Sequence, residues 1–248
     1  MSDDWADRAA SFGSVADVYE RARPGYPEEA VRWLAGEPPR DVLDLGAGTG
    51  KLTRGLAALG HRVTAVDPAA EMLEYIRRAL PDVAVEVGTA EAVPLPAGAV
   101  DVVTVGQAFH WFDHERAVPE IARVLRPGGV LAVVWNARDE SELWVARLTE
   151  IIEPGLSERM PETLLDDALA LGPFAPAELT TFGFVDRLDR ERLLELVSSR
   201  SYFAIRTADQ QAALLRAVSD FYDEIAGPDG VDLPYLTYAH RSIRSAAA

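Results

Sequence analysis

Short apolar segments alternate with helical periodicities through the middle of the chain. Five runs of β-branched and aliphatic residues are apolar at successive positions, which is typical of parallel strands buried on both faces. Between these runs, apolar residues recur three or four positions apart, as on one face of an amphipathic helix. This alternation predicts a doubly wound α/β fold. The five predicted strands are Val42–Leu45, Val63–Asp67, Val83–Val87, Val100–Val105 and Val130–Trp135.

The pattern changes after Asn136, where longer elements are predicted. They are a helix over 143–152, a strand over Glu178–Leu188, helices over 190–206 and 208–226, and a last strand over Leu233–Ile243. If the two late strands pair, the helices between them form an insertion at about 189–228. Residues 1–36 contain two short helical patterns that are separated by the breaker Arg23–Pro27, and we expect one domain over 37–248.

Composition and charge exclude several classes of function. The 248 residues include 40 acidic and 24 basic side chains, and the net charge of −16 disfavours a nucleic-acid partner. The absence of cysteine excludes thiol catalysis, disulfides and cysteine-based zinc sites. The acidic beginning of the chain does not resemble a targeting signal, and no apolar run approaches 18 residues. We therefore expect a cytoplasmic protein without membrane contact, as a monomer or a homodimer.

A glycine-rich turn follows the first predicted strand, with the sequence DLGAGTG over Asp44–Gly50. Glycines at such a turn let a ligand approach the backbone closely. A nucleoside-triphosphate loop is disfavoured, because leucines stand where that motif needs its first glycine and its metal-binding hydroxyl. A dinucleotide loop fits at Gly46 and Gly48, but its third small residue is replaced by Lys51, the only lysine of the chain. That alternative, an NAD-linked oxidoreductase, stays open at this point.

All four fixed positions of a third pattern, DxGxGxG, match this turn. The segment resembles motif I of class I S-adenosylmethionine-dependent methyltransferases. Later segments strengthen the resemblance: an acid at Asp67 ends the second strand, GTAE follows the third, GQAFHWF follows the fourth, and LRPGG precedes the fifth. The family usually has an aspartate at the position of Thr89, so we expect its hydroxyl or the following backbone to replace that adenine contact.

The resemblance implies S-adenosyl-L-methionine as cofactor and a Rossmann-like, mostly parallel seven-stranded sheet with an antiparallel last strand. It also implies that residues 1–36 form a lid and that the late helical insertion caps the substrate. Asp44 is expected at the ammonium end of the cofactor, and Asp67 at its ribose. The full set of expected cofactor-binding residues is Asp44, Gly46, Ala47, Gly48, Gly50, Asp67, Pro68, Met72, Thr89, Ala90, Glu91, Gly106 and Gln107.

Within this class, VYERARPGYP and QAFHWFD resemble the branch of trans-aconitate methyltransferase-like proteins. This likeness implies transfer of a methyl group to a small molecule, at a carboxylate or a hydroxyl. A methyltransferase-like binding module without activity is an alternative. The expected substrate-binding residues are Tyr19, Arg23, Trp111, Arg200 and Tyr202.

The chemistry expected of the site depends on the acceptor. A carboxylate arrives deprotonated and needs only an orienting cation, such as Arg23, Arg200 or Arg206. A hydroxyl needs a base, and His110 at the exit of the fourth strand is the predicted catalytic residue. His110 and His114 have a metal-ligand spacing, but no third ligand is evident, so no metal is predicted.

Overall fold

The computed structural model describes residues 20–152, 154 and 162–245. Its strands are β1 (Asp41–Leu45), β2 (Arg62–Asp67), β3 (Ala84–Val87), β4 (Val100–Gly106), β5 (Leu125–Arg138), β6 (Glu178–Leu188) and β7 (Val231–Ile243). Its helices are α1 (Glu28–Ala35), α2 (Lys51–Ala58), α3 (Ala70–Ala79), α4 (His114–Val124), α5 (Leu143–Ile152), α6 (Glu162–Leu169), α7 (Arg190–Ser198), α8 (Ser201–Ala204) and α9 (Ala208–Ile225). A short 3₁₀ turn covers Phe109–Trp111.

The strands form one seven-stranded sheet in the order β3-β2-β1-β4-β5-β7-β6. Neighbours among β1 to β5 are parallel, whereas β7 is antiparallel to both β5 and β6. The predicted fold class, including the antiparallel last strand, is confirmed. The strand order reverses between β1 and β4, and the carboxyl ends of these strands open the crevice where such sheets bind ligands.

Alternate residues of the central strands enter different cores. Leu43 and Val103 pack into the core beneath α4 and α6, while Val42 and Val102 pack against α1 and α2. Both faces of these strands are therefore largely apolar, because helices cover both faces of the sheet. Helices on both faces of the sheet thus support its carboxyl edge.

Two predicted elements differ from the structure. The strand expected from Val130 begins at Leu125, so the segment LRPGG, which was expected before the strand, lies inside β5 at a register shift. The helix expected over 190–206 is broken into α7 and α8. Arg200 leaves the helical conformation, with φ −89° and ψ 144°, and begins α8 as its N-cap.

The helices α7, α8 and α9 lie between β6 and β7 in the chain, and β6 pairs with β7 along the full length of β6. Together with α5 they build a separate apolar core that includes Leu193, Leu196, Val218 and Phe221. Among the described residues, no helix has the length and apolarity that a membrane crossing requires.

Candidate functional site

The turn between β1 and α2 is held in a conformation that suits glycine. Gly46, Gly48 and Gly50 have φ values of 71°, 55° and 87°, which side chains with a Cβ rarely adopt. The backbone N–H groups of Gly46 and Ala47 both donate to the carbonyl of Val66 on β2, at 2.8 and 3.1 Å. The turn is therefore fixed to the end of the neighbouring strand.

Asp67 joins the glycine turn to the loop after β2. Its carboxylate accepts the N–H of Gly48 at 2.9 Å and the N–H of Ala69 at 2.8 Å. Burial raises the pKa of Asp67, and these two backbone hydrogen bonds act against that increase. A Cβ at Gly48 would meet no atom within 4 Å, so this side of the turn is open to a ligand.

Asp44 is buried on β1, directly before the glycine turn. Its side chain is 1% exposed, and its two carboxylate oxygens accept hydrogen bonds from Thr53 at 2.5 Å and from Thr104 at 3.3 Å. Burial raises the pKa of Asp44 to about 6 despite these hydroxyls. The carboxylate therefore stabilises the turn by linking β1 to Thr53 on α2 and to Thr104 on β4. The expected position of Asp44 at the ammonium end of the cofactor stays a prediction.

The other predicted cofactor residues follow β2 and β3, in α3 and in the loops after these strands. Met72 is buried at the start of α3, and Ala90 is buried in the main core. Thr89 and Ala92 form an isolated bridge. The carboxylate of Glu91 accepts the N–H of Asp113 at 3.0 Å, so it supports the start of α4. Pro68 is exposed beside Asp67.

Gly106 and Gln107 leave β4 at the centre of the edge. A Cβ at Gly106 would lie 2.8 Å from the hydroxyl of Tyr26, so only glycine lets that side chain approach. Gln107 has a φ of 60°, and its side-chain Nε2 donates to the carbonyl of Asn136 at 3.0 Å. This conformation is sparsely populated by side chains other than asparagine and aspartate, and it is often found at functional sites.

The segment 20–27, here called the N-terminal strap, crosses beside the glycine turn. Glu20 pairs with Arg54 at 2.7 Å and lies 3.7 Å from the Nζ atom of Lys51. Lys51 Nζ also donates to the carbonyl of Glu20. Burial lowers the pKa of Lys51, which Glu20 partly counteracts. The lysine that opposed a dinucleotide site thus fastens the strap.

The strap also contacts the helices that lie between β6 and β7. Arg21 donates to the carboxylate of Glu195 on α7 at 2.8 Å. Arg23 donates through Nε to the hydroxyl of Ser199 at 3.0 Å and through Nη2 to its carbonyl at 3.3 Å. These contacts join sequence positions more than 170 residues apart, beside the carboxyl edge of the sheet.

Asn136 connects the strap to the sheet, and the sequence analysis did not identify it. Its Nδ2 donates to the carbonyl of Gly25 at 2.9 Å, and its Oδ1 accepts the hydroxyl of Thr237 at 2.7 Å. The side chain is 3% exposed. A polar residue at the end of an apolar strand was the only available signal.

A cleft lies between the strap, Lys51 at the start of α2 and Arg200 at the break between α7 and α8. It brings together the predicted residues Arg23, Arg200 and Gln107. Lys51, Tyr26, Asn136 and Tyr235 also line it, although the sequence analysis assigned none of them to the site. The complete lining is Arg23, Pro24, Tyr26, Lys51, Gln107, Asn136, Arg200 and Tyr235.

His110 lies outside the lining of this cleft. Its ring contacts those of Trp111 and Trp135, with centroid separations of 4.4 and 4.8 Å. Although part of His110 is exposed, desolvation lowers its pKa to about 4, and nearby His114 adds to this effect. The ring is therefore neutral near pH 7 and a weak base. Its catalytic role, like the substrate contact of Trp111, stays a prediction.

Tyr202 and Arg206, which were also predicted, are not in the described lining. Tyr19 lies outside the described residues. The ring of Tyr202 packs under the guanidinium of Arg206, with 5.3 Å between Arg206 Cζ and the ring centroid. Arg206 donates to the carbonyls of Tyr202 and Ile152, so it holds α8 against α5. For Tyr202 a substrate contact stays a prediction, and these bonds give Arg206 a structural role.

Within the described part of the chain, no group of three histidine or acidic side chains could hold a metal ion. The Nε2 atom of His114 lies 2.9 Å from the carbonyl of Phe109, and the two rings stack. This ring nitrogen is therefore engaged by a backbone carbonyl of the protein itself.

The known proteins that this chain resembles in sequence and structure are methyltransferases. A family model described as a methyltransferase domain matches residues 43–133. An uncharacterized methyltransferase of Mycobacterium tuberculosis is 44% identical over 239 residues, covering 95% of this chain and 96% of that protein. A malonyl-[acyl-carrier protein] O-methyltransferase of Enterobacter lignolyticus is 34% identical over 194 residues, covering 75% and 77%. A solved structure described as a candidate type II methyltransferase from Anaeromyxobacter dehalogenans has a TM-score of 0.66 and 28% identity, covering 90% and 98%.

The fold, the glycine turn and these relatives define a methyl-transferring enzyme. The chain belongs to the methyltransferase family, as a class I S-adenosylmethionine-dependent methyltransferase. Neither an NAD-linked oxidoreductase nor an inactive binding module is favoured by these comparisons. The narrower likeness to the trans-aconitate methyltransferase branch is not confirmed and stays a prediction.

Proposed function

We propose that this protein transfers a methyl group from S-adenosyl-L-methionine to a small-molecule acceptor that carries a carboxylate or a hydroxyl. The observation that carries the proposal is the turn from Gly46 to Gly50, with its three positive φ values and its bond to Asp67. Its open side at Gly48 would admit the amino-acid part of the cofactor, because no Cβ fills that space. The residues present therefore fit the cofactor.

Each part of the cofactor has a proposed partner at this edge. Asp67 already accepts two N–H groups, and its remaining lone pairs would accept the ribose hydroxyls. Met72, Thr89 and Ala90 are proposed to surround the adenine. Gly106 and Gln107 would contact the amino-acid end from β4. Asp44 is proposed to act indirectly, by holding the turn through Thr53.

When bound, the cofactor supplies a methyl carbon that passes from its positively charged sulfur to the acceptor lone pair, while the bonding electrons remain on sulfur as a neutral thioether. This chain's task is then to orient the acceptor and to exclude water. The strap contributes to both, because Arg21 and Arg23 hold it against α7 beside the cleft.

The need for a base separates the two acceptor types. A carboxylate releases no proton, so cations in the cleft would be sufficient to orient it. A hydroxyl acceptor would need a base, and the neutral ring of His110 is the proposed group. A pKa of about 4 makes it a weak base, which favours the carboxylate.

Calorimetry with S-adenosylhomocysteine tests the proposal. We expect one site per chain on the folded protein and weaker binding by Asp67→Asn, by about 1.5–3 kcal/mol for hydrogen bonds to a charged group. Asp82→Asn, an exposed residue before β3, serves as the matched control and should bind normally. Absence of binding to the folded wild type, or tighter binding of NAD, would contradict the proposal.

A further inference from the structure

Strand β6 lies at one edge of the sheet. It pairs with β7 on one side, and no strand among the described residues pairs with its other side. The strand has 11 residues, Glu178–Leu188, and its pairing with β7 continues along them without a register shift. An edge strand of this length and regularity directs a row of backbone N–H and C=O groups away from the sheet.

This strand lacks several features that commonly protect the edge of a sheet. Its sequence, ELTTFGFVDRL, contains neither proline nor lysine, and no bulge interrupts its pairing. Leu179 and Val185 lie on the same face of the strand and are 48% and 60% exposed. Leu236 and Pro234 of β7 stand opposite residues of this face, so the apolar surface continues over both strands.

The charged side chains of β6 form ion pairs within the chain. The three pairs are Glu178–Arg241, Asp186–Arg192 and Arg187–Asp232, with N–O distances of 2.7, 2.9 and 2.7 Å. The chain as a whole has a net charge of −16 and therefore repels a copy of itself. The edge formed by β6 is a locally neutral surface on this acidic protein, where two copies can approach with little repulsion.

The geometry points to a homodimer: we infer that β6 pairs in antiparallel orientation with β6 of a second copy of this chain, about a two-fold axis at Gly183. This register pairs all 11 residues and places Phe182 opposite Phe184 of the second copy. Moving the axis to Phe182 would leave the strand ends unpaired and place Glu178 opposite Asp186 of the second copy, where like charges are unfavourable. Such an interface is isologous and closes after two copies.

The proposed pairing provides enough hydrogen bonds for a specific interface. Two antiparallel strands of 11 residues exchange about ten to twelve backbone hydrogen bonds, because opposite residues bond in pairs at alternate positions. A typical interface between proteins has about ten direct hydrogen bonds. The strand at the opposite edge, β3, has 4 residues, and self-pairing there would provide only about four. The second copy therefore belongs on β6.

The first measurement is the mass of the protein in solution, and it needs no cofactor. Light scattering after size exclusion should give twice the 27.0 kDa of the chain for the wild type at micromolar concentration. Val185→Lys introduces a charge into the interface and should weaken self-association by about tenfold or more in a dilution series, although it lowers the net negative charge. Val87→Lys is the matched control, because Val87 is 52% exposed on β3, and it should remain dimeric.

The second measurement tests the position of the two-fold axis. The chain has no cysteine, so Gly183→Cys introduces a single thiol, and an oxidant should join two copies through it. Directly opposite residues of antiparallel strands have Cα atoms about 4.5–5.5 Å apart, which a disulfide spans. A Cβ at Gly183 would meet no atom within 4 Å, so the substitution should not disturb the fold.

Thr181→Cys is the matched control for the disulfide, because Thr181 is exposed on the same face of β6. In the proposed register, Thr181 stands opposite Val185 of the second copy. Two thiols at position 181 would therefore be four residues apart along the strands, about 13 Å, and should not join. Crosslinking of Thr181→Cys as readily as Gly183→Cys would contradict the proposed pairing.

The inference is independent of the proposed function. It is overturned if the wild type has the mass of one chain at micromolar concentration, or if Val185→Lys dimerises as strongly as Val87→Lys. Thermal unfolding of each variant establishes that it is folded. Should Val185→Lys not fold, the disulfide of Gly183→Cys decides the question, and its absence under oxidation would refute the dimer.

Discussion

Replacing Asp44 by asparagine tests the buried carboxylate beneath the glycine turn. Its pKa is raised from 3.8 to about 6, because burial disfavours the charged form more than the hydroxyls of Thr53 and Thr104 favour it. The folded protein therefore binds this proton more tightly than the unfolded chain does. The stabilisation is fully present below pH 3.8 and is lost as the pH rises through about 6. At about 1.36 kcal/mol per pH unit, this one group lowers the free energy of unfolding by about 3 kcal/mol across that window.

The assay is urea unfolding of wild type and Asp44→Asn at several pH values between 4 and 7. Asp41 and Asp101, whose pKa values are lowered by Arg62 and Arg126, act in the opposite direction. They are present in both proteins, so they cancel in the difference. A change in packing caused by the substitution adds the same free energy at every pH, so it does not alter the pH dependence of the difference between the two proteins. We expect the stability of wild type relative to Asp44→Asn to fall by about 2 kcal/mol from pH 4 to pH 7, because part of the full effect is already lost at pH 4. A flat or rising difference would refute the reasoning.

Two further substitutions test the turn and the strap. A Cβ on Gly50 would lie 2.7 Å from the Cγ1 atom of Ile76 at a φ of 87°, whereas Gly60 has a similar φ and open space. Gly50→Ala should therefore cost about 1–3 kcal/mol more than Gly60→Ala in urea unfolding, and equal costs would contradict the steric argument. Asn136→Ala removes the hydrogen bond to the Gly25 carbonyl. The free energy of local opening of the strap should therefore fall by about 1–3 kcal/mol, as for a lost buried hydrogen bond, and amide exchange there should accelerate. Unchanged exchange there would show that Asn136 does not hold the strap.

Much of the fold was predictable because its signals are local. The strand Glu178–Leu188 has the predicted bounds, since alternating exposure along it follows the period of two. The central strands were predictable because helices cover both faces, so that apolar residues stand at most successive positions. The beginning of β5 was not, because Leu125 to Gly129 combine a glycine turn pattern with pairing to β4, and only the neighbouring strand determines that pairing.

The candidate site was predictable only in part. The pattern DxGxGxG identifies the glycine turn, and Asp67 was predicted from its position at the end of the next strand. Arg23 and Arg200 were predicted separately, but their meeting depends on Ser199 and on the break after α7. The role of Asn136 was not predictable, because its partners Gly25 and Thr237 lie 111 and 101 residues away. Contacts of this separation are decided by the strand order and cannot be inferred from local patterns.

A crystal structure of the protein with S-adenosylhomocysteine would test the central claim most directly. The account predicts the ribose hydroxyls on the carboxylate of Asp67 and the amino-acid end against the open side of Gly48. It would be contradicted by a nucleoside bound away from this turn at full occupancy, or by a diphosphate group in the turn after soaking with a dinucleotide.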